Sequence, residues 1–307
     1  MLGAMRHLPG GEFWMGSDDH YPEEAPARQA VVGAFWIDET PVTNSDFQAF
    51  VAATGYLTVA ETAPEADQYP QAPPEMLRAG SSLFVRPRLP VSLTDPFQWW
   101  RFSFGTSWHH PWGPQSNIDD LRDHPVVHVA YADAEAYARW AGKELPTEAE
   151  WEFAARGGLD RAPYAWGPEL APGGRMMANY WQGAFPHENL LQDGYERTSP
   201  VRSFPANGYG LYDMIGNVWE WTSDWYAEGH VLAQQRSCCI PRDPLGGTEA
   251  SSRDLSDPGA AFGRKVLKGG SHLCAVNYCK RFRPAARYAQ TVDTSTSHIG
   301  FRCVVRR

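Results

Sequence analysis

Two cysteines near the C-terminal end are the residues best suited to chemistry. Cys274 and Cys279 are separated by four residues. Such a pair can form a disulfide, bind a metal or lie buried without a function, since free cysteine is often a core residue. Zinc sites usually combine C-x2-C with a second ligand pair, and no such second pair occurs here. Two thiolates alone suit a soft ion of low coordination number, for which Cu(I) is the natural candidate.

Oxygen-bearing side chains form a second group of candidates. Asn179, Asp193, Asp213 and Glu220 lie in turn-rich sequence. Each residue alone is most simply a solvated loop residue or a turn former. Together they have the chemistry of oxygen ligands for a hard cation such as Ca2+.

A pair of histidines offers a third candidate. The spacing of His124 and His128 suits two metal ligands on one face of a helix. Pro125 and the valines at 126, 127 and 129 instead predict a strand. A structural role is therefore the favoured interpretation of both histidines.

The elements that must position these residues are short. Residues 5–38 show alternating apolar positions and a Pro-Gly-Gly turn, which predict strands. Residues 62–120 are rich in Pro, Gly, Ser and Trp, and we interpret them as a long irregular insertion. From residue 157 onward, short strand candidates are separated by Asn-Gly, Asp-Gly and Gly-Gly turns. The sequence predicts one α+β domain over residues 1–307 with little regular structure.

Three helices are predicted in the N-terminal half. The first runs from Thr43 to Gly55, with a capping residue at its start and a glycine at its end. The second spans 133–141. The third follows Pro146, where Thr147 and Glu150 form a capping box.

Composition limits the classes of function. The chain has 307 residues, 43% hydrophobic and 21% charged, with a net charge of -9. An acidic chain of this kind argues against a nucleic-acid surface. The first 30 residues lack an apolar run of signal-peptide length, and no stretch has the roughly 20 apolar residues of a membrane span. Five cysteines also fit a reducing compartment, so we expect a cytoplasmic protein that binds no membrane. Nothing in the sequence determines the oligomeric state, and a monomer is the expectation.

Motifs along nearly the whole chain resemble those of formylglycine-generating enzymes, of the sulfatase-modifying factor family. The matching segments are Pro9–Gly16, His124–Val129, Trp140–Glu152, Gly208–Tyr212, Gly216–Trp221, Gly269–Cys274, Tyr278–Cys279, Arg281–Arg287 and Gly300–Cys303. Most of these motifs mark the wider family, which includes members with other or no activity. The pair Cys274 and Cys279 is what marks the enzyme itself.

The resemblance implies a fold and a reaction. The fold would be a single domain distantly similar to C-type lectins. The reaction would oxidise the cysteine of a C-x-P-x-R motif in an unfolded sulfatase polypeptide to formylglycine, using O2, Cu(I) and a thiol reductant. Cys274 and Cys279 would hold the copper, and Ser271 would help to position the substrate. Ser271 can equally be a turn serine bonded to backbone.

The resemblance also implies two calcium sites that brace the loops. The first would use Asn179, Asp193 and the carbonyls of Tyr180 and Tyr195. The second would use Asp213, Glu220 and the carbonyls of Gly216 and Val218.

Departures from the family concern its disulfides. Secreted eukaryotic members have structural cysteines at positions that match Ala138, Ala155, Pro284 and Cys303, and three of the four are replaced here. We therefore expect Cys303 to be a buried free thiol. Cys238 and Cys239 have no recognised counterpart, and no role is assigned to them.

Two other functions remain as alternatives. One is a non-haem iron sulfoxide synthase, whose iron motif H-x3-H-x-E would need Glu where Ala130 follows the two histidines. The other is a non-catalytic binding module of the same fold, and the cysteine pair argues against it.

Overall fold

The computed structural model describes residues 3–229, 240–254, 256 and 261–306, so Cys238 and Cys239 lie outside the described residues. Eleven strands occur in these ranges: β1 (Met5–Leu8), β2 (Gly11–Met15), β3 (Arg28–Val32), β4 (Phe35–Asp38), β5 (Gly80–Phe84), β6 (Trp100–Phe104), β7 (Trp219–Trp225), β8 (Arg264–Lys268), β9 (Arg287–Thr291), β10 (Ile299–Gly300) and β11 (Val304–Val305). Four α-helices occur in the same ranges: α1 (Asn44–Thr54), α2 (Tyr131–Trp140), α3 (Glu148–Arg156) and α4 (Glu249–Ser252).

A small sheet joins the two ends of the chain. Its strand order is β1-β4-β11, with β1 antiparallel to β4 and Val304 of β11 opposite Ile37. The buried Ile37 and Val304 then extend the core between the first and last segments. The predicted N-terminal strands are confirmed as β1 to β4, with β2 and β3 pairing separately.

A four-stranded sheet carries the cysteine segment. Its strand order is β10-β7-β8-β9. The antiparallel strands β8 and β9 pair Lys268 with Arg287. Residues 269–286, which contain both candidate cysteines, are therefore a long connection whose two ends are fixed by the sheet.

Helix boundaries follow local capping. Thr43 caps α1 and Gly55 ends it in the left-handed conformation (φ 67°), as predicted. Helix α2 begins at Tyr131, two residues before the predicted start. The reason is that Asp133 lies inside the first turn and accepts a hydrogen bond from the Ala130 backbone N–H at 2.8 Å.

Helix α3 is buried, and its acidic side chains form ion pairs with neighbouring strands. All nine of its residues are buried, and the predicted capping box between Thr147 and Glu150 is present. Its Glu152 lies 2.9 Å from the ammonium of Lys268 on β8. Arg287 at the start of β9 forms an ion pair with Glu148 at 2.8 Å. Charged pairs thus hold the helix against both strands that bracket the cysteine segment.

The 62–120 region is more regular than predicted. It contains the antiparallel pair β5–β6, and its Trp99 is fully buried. Ser81 of β5 donates to the Ser295 carbonyl at 2.8 Å. The predicted strand at 126–129 is wrong, because apart from an isolated bridge at Pro125 this stretch is irregular backbone. Within the described ranges, no helix combines the length and apolarity needed to cross a membrane.

Candidate functional site

Short-range hydrogen bonds within the loop after β8 bring the two cysteines together. The Cys274 N–H donates to the Ser271 carbonyl at 2.9 Å, and the Cys279 N–H donates to the Ala275 carbonyl at 3.0 Å. Two successive turns result, and they place the two sulfurs 3.3 Å apart. Both cysteines are free thiols. The four-residue spacing therefore produces one two-sulfur group.

The two thiols differ in their environment. Cys274 is 2% exposed. Burial raises its pKa well above the usual range, and its hydrogen bond with Cys279 acts in the same direction. The Ser271 backbone N–H points at the Cys274 sulfur from 3.4 Å. Cys274 therefore keeps its proton more strongly than its neighbour.

Cys279 is the thiol that ionises first. The hydrogen bond from Cys274 and the nearby charge of Arg281 lower its pKa to about 7, against the opposing effect of burial. The guanidinium of Arg281 lies 3.7 Å from the Cys279 sulfur. The pair thus has the character of a thiolate that accepts a hydrogen bond from a thiol.

Arg281 is a site residue that the sequence did not identify. It forms an ion pair with Glu23 at 2.5 Å, and its guanidinium lies 3.9 Å from the ring centroid of Tyr21. The Tyr21 hydroxyl also accepts from the Lys280 N–H at 3.0 Å. An N-terminal turn therefore fixes the cation beside the thiolate.

A cavity of about 360 Å³ opens at the cysteines. Its aromatic wall includes Trp99, Phe185 and Tyr278. The rings of Phe185 and Tyr278 stack with centroids 4.7 Å apart, and Trp99 meets Tyr278 edge-on at 5.5 Å. The 62–120 region thus contributes directly to the cavity, through Trp99.

Two polar side chains also line the cavity. The Ser271 hydroxyl oxygen accepts from the Leu273 N–H at 3.2 Å, which is the turn role considered above, and its O–H proton is left for a second partner. The Nδ1 of His298 pairs with the Thr296 hydroxyl at 2.5 Å. Burial lowers the pKa of His298 well below its usual range, so its imidazole is neutral.

The first group of oxygen ligands converges in the fold. Asp193 accepts from the Tyr180 N–H at 3.2 Å and from the Tyr195 N–H at 2.9 Å. The Tyr180 carbonyl and the Asp193 carboxylate both accept from the side-chain amide of Gln182. Burial raises the pKa of Asp193 to about 6. The amide of Asn179 instead donates to the Arg197 carbonyl at 2.8 Å.

The second group is less open to a cation. Asp213 accepts from the Arg202 N–H at 2.8 Å, and burial raises its pKa to about 6. Val218 is buried, and the Gly216 N–H donates to the Gly269 carbonyl at 3.0 Å. Glu220, however, is paired with Arg302 through both carboxylate oxygens, at 2.7 and 2.8 Å.

The remaining candidates have structural contacts. His128 is fully buried, and its ring nitrogens pair with the Ser81 hydroxyl at 2.7 Å and the Pro111 carbonyl at 2.9 Å. His124 pairs with Thr198 at 3.0 Å. Cys303 is a buried free thiol, as predicted. In the part of the chain that the structure describes, no three His, Cys, Asp or Glu residues form a metal-binding group.

Comparisons with known proteins cover the whole chain. The profile of the sulfatase-modifying factor enzyme 1-like domain matches residues 1–307. The formylglycine-generating enzyme of Mycobacterium tuberculosis is 51% identical over 305 residues, which cover 99% of this chain and 98% of that protein. The formylglycine-generating enzyme of Thermomonospora curvata is 46% identical over 311 residues, which cover 98% and 92%.

A solved structure shares the fold. PvdO from Pseudomonas aeruginosa superposes with a TM-score of 0.63 at 24% identity, over 98% of this chain and 93% of that one. At this identity the likeness shows the fold alone. It agrees with the predicted α+β class, in which helices and strands are mixed in one family domain.

Proposed function

The chain belongs to the sulfatase-modifying factor enzyme family, and on this basis we propose that it is a formylglycine-generating oxidase. Its substrate is the cysteine of a C-x-P-x-R motif in an unfolded sulfatase polypeptide. The observation that carries the proposal is the two-sulfur group, 3.3 Å between sulfurs, at the wall of a cavity. The names of the two bacterial relatives support the same reaction.

The donor set fits Cu(I). Two adjacent sulfurs are soft ligands, and they favour a soft ion of low coordination number over zinc or a hard cation. Cys274 and Cys279 would hold the ion, and copper would supply the activation of O2. Both thiol protons must leave when the metal binds to two thiolates. Arg281 favours loss of the first proton, from Cys279, and the metal would displace the second proton, from Cys274.

Other residues of the cavity orient the substrate and limit water. The Ser271 hydroxyl can donate to a sulfur or carbonyl oxygen of the bound peptide. His298 is neutral, so it brings no second cation to the thiolates. The aromatic wall of Trp99, Phe185 and Tyr278 keeps the reacting region apolar.

The overall reaction balances with two electrons from an external thiol. One substrate cysteine, one O2 and two reductant thiols give one aldehyde, one hydrogen sulfide, one disulfide and one water. The C–S bond of the substrate breaks, its β-carbon is oxidised, and O2 is reduced by four electrons in total. We propose that the enzyme works as a monomer in a reducing, cytoplasmic compartment.

Calcium is proposed as a structural ion. The first site fits best, because the Tyr180 carbonyl and the Asp193 carboxylate already converge on one donor. A bound Ca2+ would also balance the buried charge of Asp193. At the second site, Glu220 would have to give up part of its pairing with Arg302.

Single substitutions test the two-thiolate site. Cys274→Ser and Cys279→Ser should each abolish tight Cu(I) binding and aldehyde formation, because one remaining thiolate holds copper too weakly. Mass spectrometry of a C-x-P-x-R peptide incubated with enzyme, copper, O2 and thiol measures conversion. The control Cys303→Ser should keep nearly wild-type turnover, since Cys303 is buried apart from the cavity.

Two outcomes would contradict this assignment. Wild-type turnover by Cys279→Ser at limiting copper would exclude the two-thiolate mechanism. Activity that Fe(II) restores and a Cu(I) chelator does not inhibit would favour the iron-enzyme alternative. The structure does not favour that alternative, because His124 and His128 bond to separate partners.

A further inference from the structure

A second and larger cavity adjoins the cysteine cavity. It has a volume of about 660 Å³. Ser82 and Thr294 line both cavities. The Ser82 N–H donates to the Ser295 carbonyl at 3.2 Å, and the Ser297 N–H donates to the Ser82 carbonyl at 3.1 Å. The two cavities are therefore parts of one cleft. The hydrogen-bonded backbone at Ser82 lies at the boundary between them. We call the larger part the flank groove.

Exposed apolar side chains surround the flank groove. Leu57 is 67% exposed, Phe102 is 45% exposed and Met76 is 41% exposed, and all three line the groove. Single exposed apolar residues are ordinary on protein surfaces, whereas several around one concave surface indicate a binding site. Leu57 follows α1, and the other two belong to the region 62–120, to which the sequence assigned no role.

Charge at the groove restricts what can bind. Glu65, Glu135 and Asp293 line it, together with the single cation Arg78 among the described lining residues. Arg78 lies 4.2 Å from the ring centroid of Phe104. Glu135 is paired with Arg139. The other lining charges leave a slight negative balance, which disfavours an acidic ligand and suits an apolar segment that carries few or basic charges.

The position of the groove beside the cysteine cavity indicates that its ligand is the substrate polypeptide. A polypeptide whose cysteine reaches the two sulfurs must continue out of a cavity of about 360 Å³. An extended chain advances about 3.3 Å per residue, so a few residues on either side of the cysteine already lie beyond that cavity. An unfolded polypeptide presents apolar side chains that the folded protein hides. The flank groove offers such side chains an apolar surface in the part of the cleft that adjoins the cysteine cavity.

We infer that the flank groove binds apolar side chains of the substrate polypeptide that lie outside the reactive motif. This inference rests on the proposed function and adds a basis for selecting unfolded chains. The groove would recognise exposed hydrophobic residues near the cysteine, and a folded sulfatase would not present them.

Two peptides and a matched set of variants test the inference. The short peptide carries only the C-x-P-x-R motif with polar ends, and the long peptide adds apolar residues on both sides. For the wild-type protein, kcat/KM should be about tenfold higher with the long peptide. Leu57→Ser and Phe102→Ser should remove most of this advantage through KM, and leave conversion of the short peptide unchanged. Both side chains are exposed, so folding should not suffer.

A control comes from the same part of the chain. Phe97 is 83% exposed and does not line either cavity, so Phe97→Ser should leave both peptides unaffected. Equal kcat/KM for the two peptides with wild-type protein would overturn the inference. So would an equal loss for both peptides in the groove variants, or dimerisation through the groove seen by sedimentation.

Direct binding separates this inference from the proposed function. If the wild-type protein converted neither peptide, the proposed function would fail. Fluorescence anisotropy of the labelled long peptide would still measure the groove. Binding that Leu57→Ser weakens about tenfold, with Phe97→Ser as wild type, would support it. Absence of binding by the wild-type protein would reject it.

Discussion

At the scale of single residues, the pKa values of the two thiols of the candidate site are shifted in opposite directions. The difference can be measured by chemical modification. Cys279 has a pKa lowered to about 7 by its hydrogen bond from Cys274 and by Arg281, whereas burial raises the pKa of Cys274. In metal-free protein, alkylation by iodoacetamide should therefore modify Cys279 first, with a rate that rises through pH 7. Peptide mass mapping against pH gives the profile of each cysteine.

Arg281→Gln should shift that profile to higher pH. Removal of a cation 3.7 Å from the sulfur raises the thiol pKa by about one unit or more. Lys280→Gln is the control and should shift the profile less, since in the described part of the chain the cation that acts on the Cys279 sulfur is Arg281. A wild-type midpoint near that of free cysteine, with no effect of Arg281→Gln, would contradict the assigned thiolate.

The residue scale also shows what a sequence can predict. The cysteine pair was found from its spacing and from family motifs, both of which are local in sequence. Arg281 lies two residues from Cys279 but is given no role by the sequence, because Glu23, the partner that fixes its guanidinium beside the sulfur, lies 258 residues away. The same holds for Glu220, whose pairing with Arg302 is not visible in the sequence. Pairings of this kind depend on the tertiary fold, and local patterns do not contain them.

At the scale of elements, the cap of α3 makes a measurable contribution. The Thr147 hydroxyl accepts from the Glu150 N–H at 3.1 Å. Thr147→Ala should lower the free energy of unfolding by about 1 kcal/mol, measured by urea denaturation. Thr248→Ala at the exposed, four-residue α4 is the matched control and should cost less. An equal loss of unfolding free energy for the two substitutions would mean that the α3 cap stabilises the protein no more than the α4 cap does.

The buried ion pair between Glu152 of α3 and Lys268 of β8 should contribute more to the free energy of unfolding than the α3 cap does. Burial alone would raise the pKa of Glu152, but Lys268 and Arg156 lower it to about 2. Lys268→Met leaves a buried carboxylate with one cation fewer and should cost about 3–5 kcal/mol. Arg139→Met, which removes an exposed pair with Glu135, should cost under about 0.5 kcal/mol.

The pH dependence of this pair has a definite sign. Because the folded pKa of Glu152 is depressed, its stabilising effect is complete above the ordinary carboxyl pKa and is lost as pH falls from about 4.5 to about 2. Unfolding free energies measured across this window should fall more steeply for wild-type protein than for Lys268→Met. Parallel curves for the two proteins would contradict the assigned ion pair.

Element prediction succeeded where the signals were local. Helices α1 and α3 have capping residues at the predicted positions. The β5–β6 pair was missed because residues 85–99, rich in proline and bends, separate its strands, and no short turn marks a hairpin. The valine run at 126–129 was misassigned as a strand. Its valines are buried by tertiary packing, without the pairing that makes a strand.

At the scale of the whole molecule, much of the chain is held by loops and side-chain contacts rather than by long elements. From residue 157 to 218 the structure contains no α-helix and no strand, only isolated β-bridges and a short 3-10 turn at Pro172–Gly174. Both proposed calcium groups lie in or next to this stretch. A bound cation would therefore connect segments that have few backbone ladders of their own.

Calcium removal should thus lower the thermal stability of the whole protein. A ligand that binds only the native state at 100 times its Kd stabilises it by about 2.7 kcal/mol. Excess chelator should lower Tm, and added calcium should restore it. Asp193→Asn should remove most of this calcium effect. Asp213→Asn should remove less, because Glu220 at that site is already paired with Arg302. Asp123→Asn, an exposed carboxylate outside both groups, is the control.

The calcium effect should also depend on pH in a known direction. Burial raises the pKa of Asp193 to about 6, so without metal its ionisation destabilises the fold increasingly as pH rises from about 4 through 6. Calcium requires the ionised carboxylate and offsets that cost, so its stabilisation should be larger at pH 7.5 than at pH 5. Differential scanning fluorimetry with and without chelator at both pH values measures this difference. An unchanged Tm after removal of all bound calcium, verified by elemental analysis, would count against both sites. A larger loss of the calcium effect in Asp213→Asn than in Asp193→Asn would mean that the second site, and not the first, contributes more to stability.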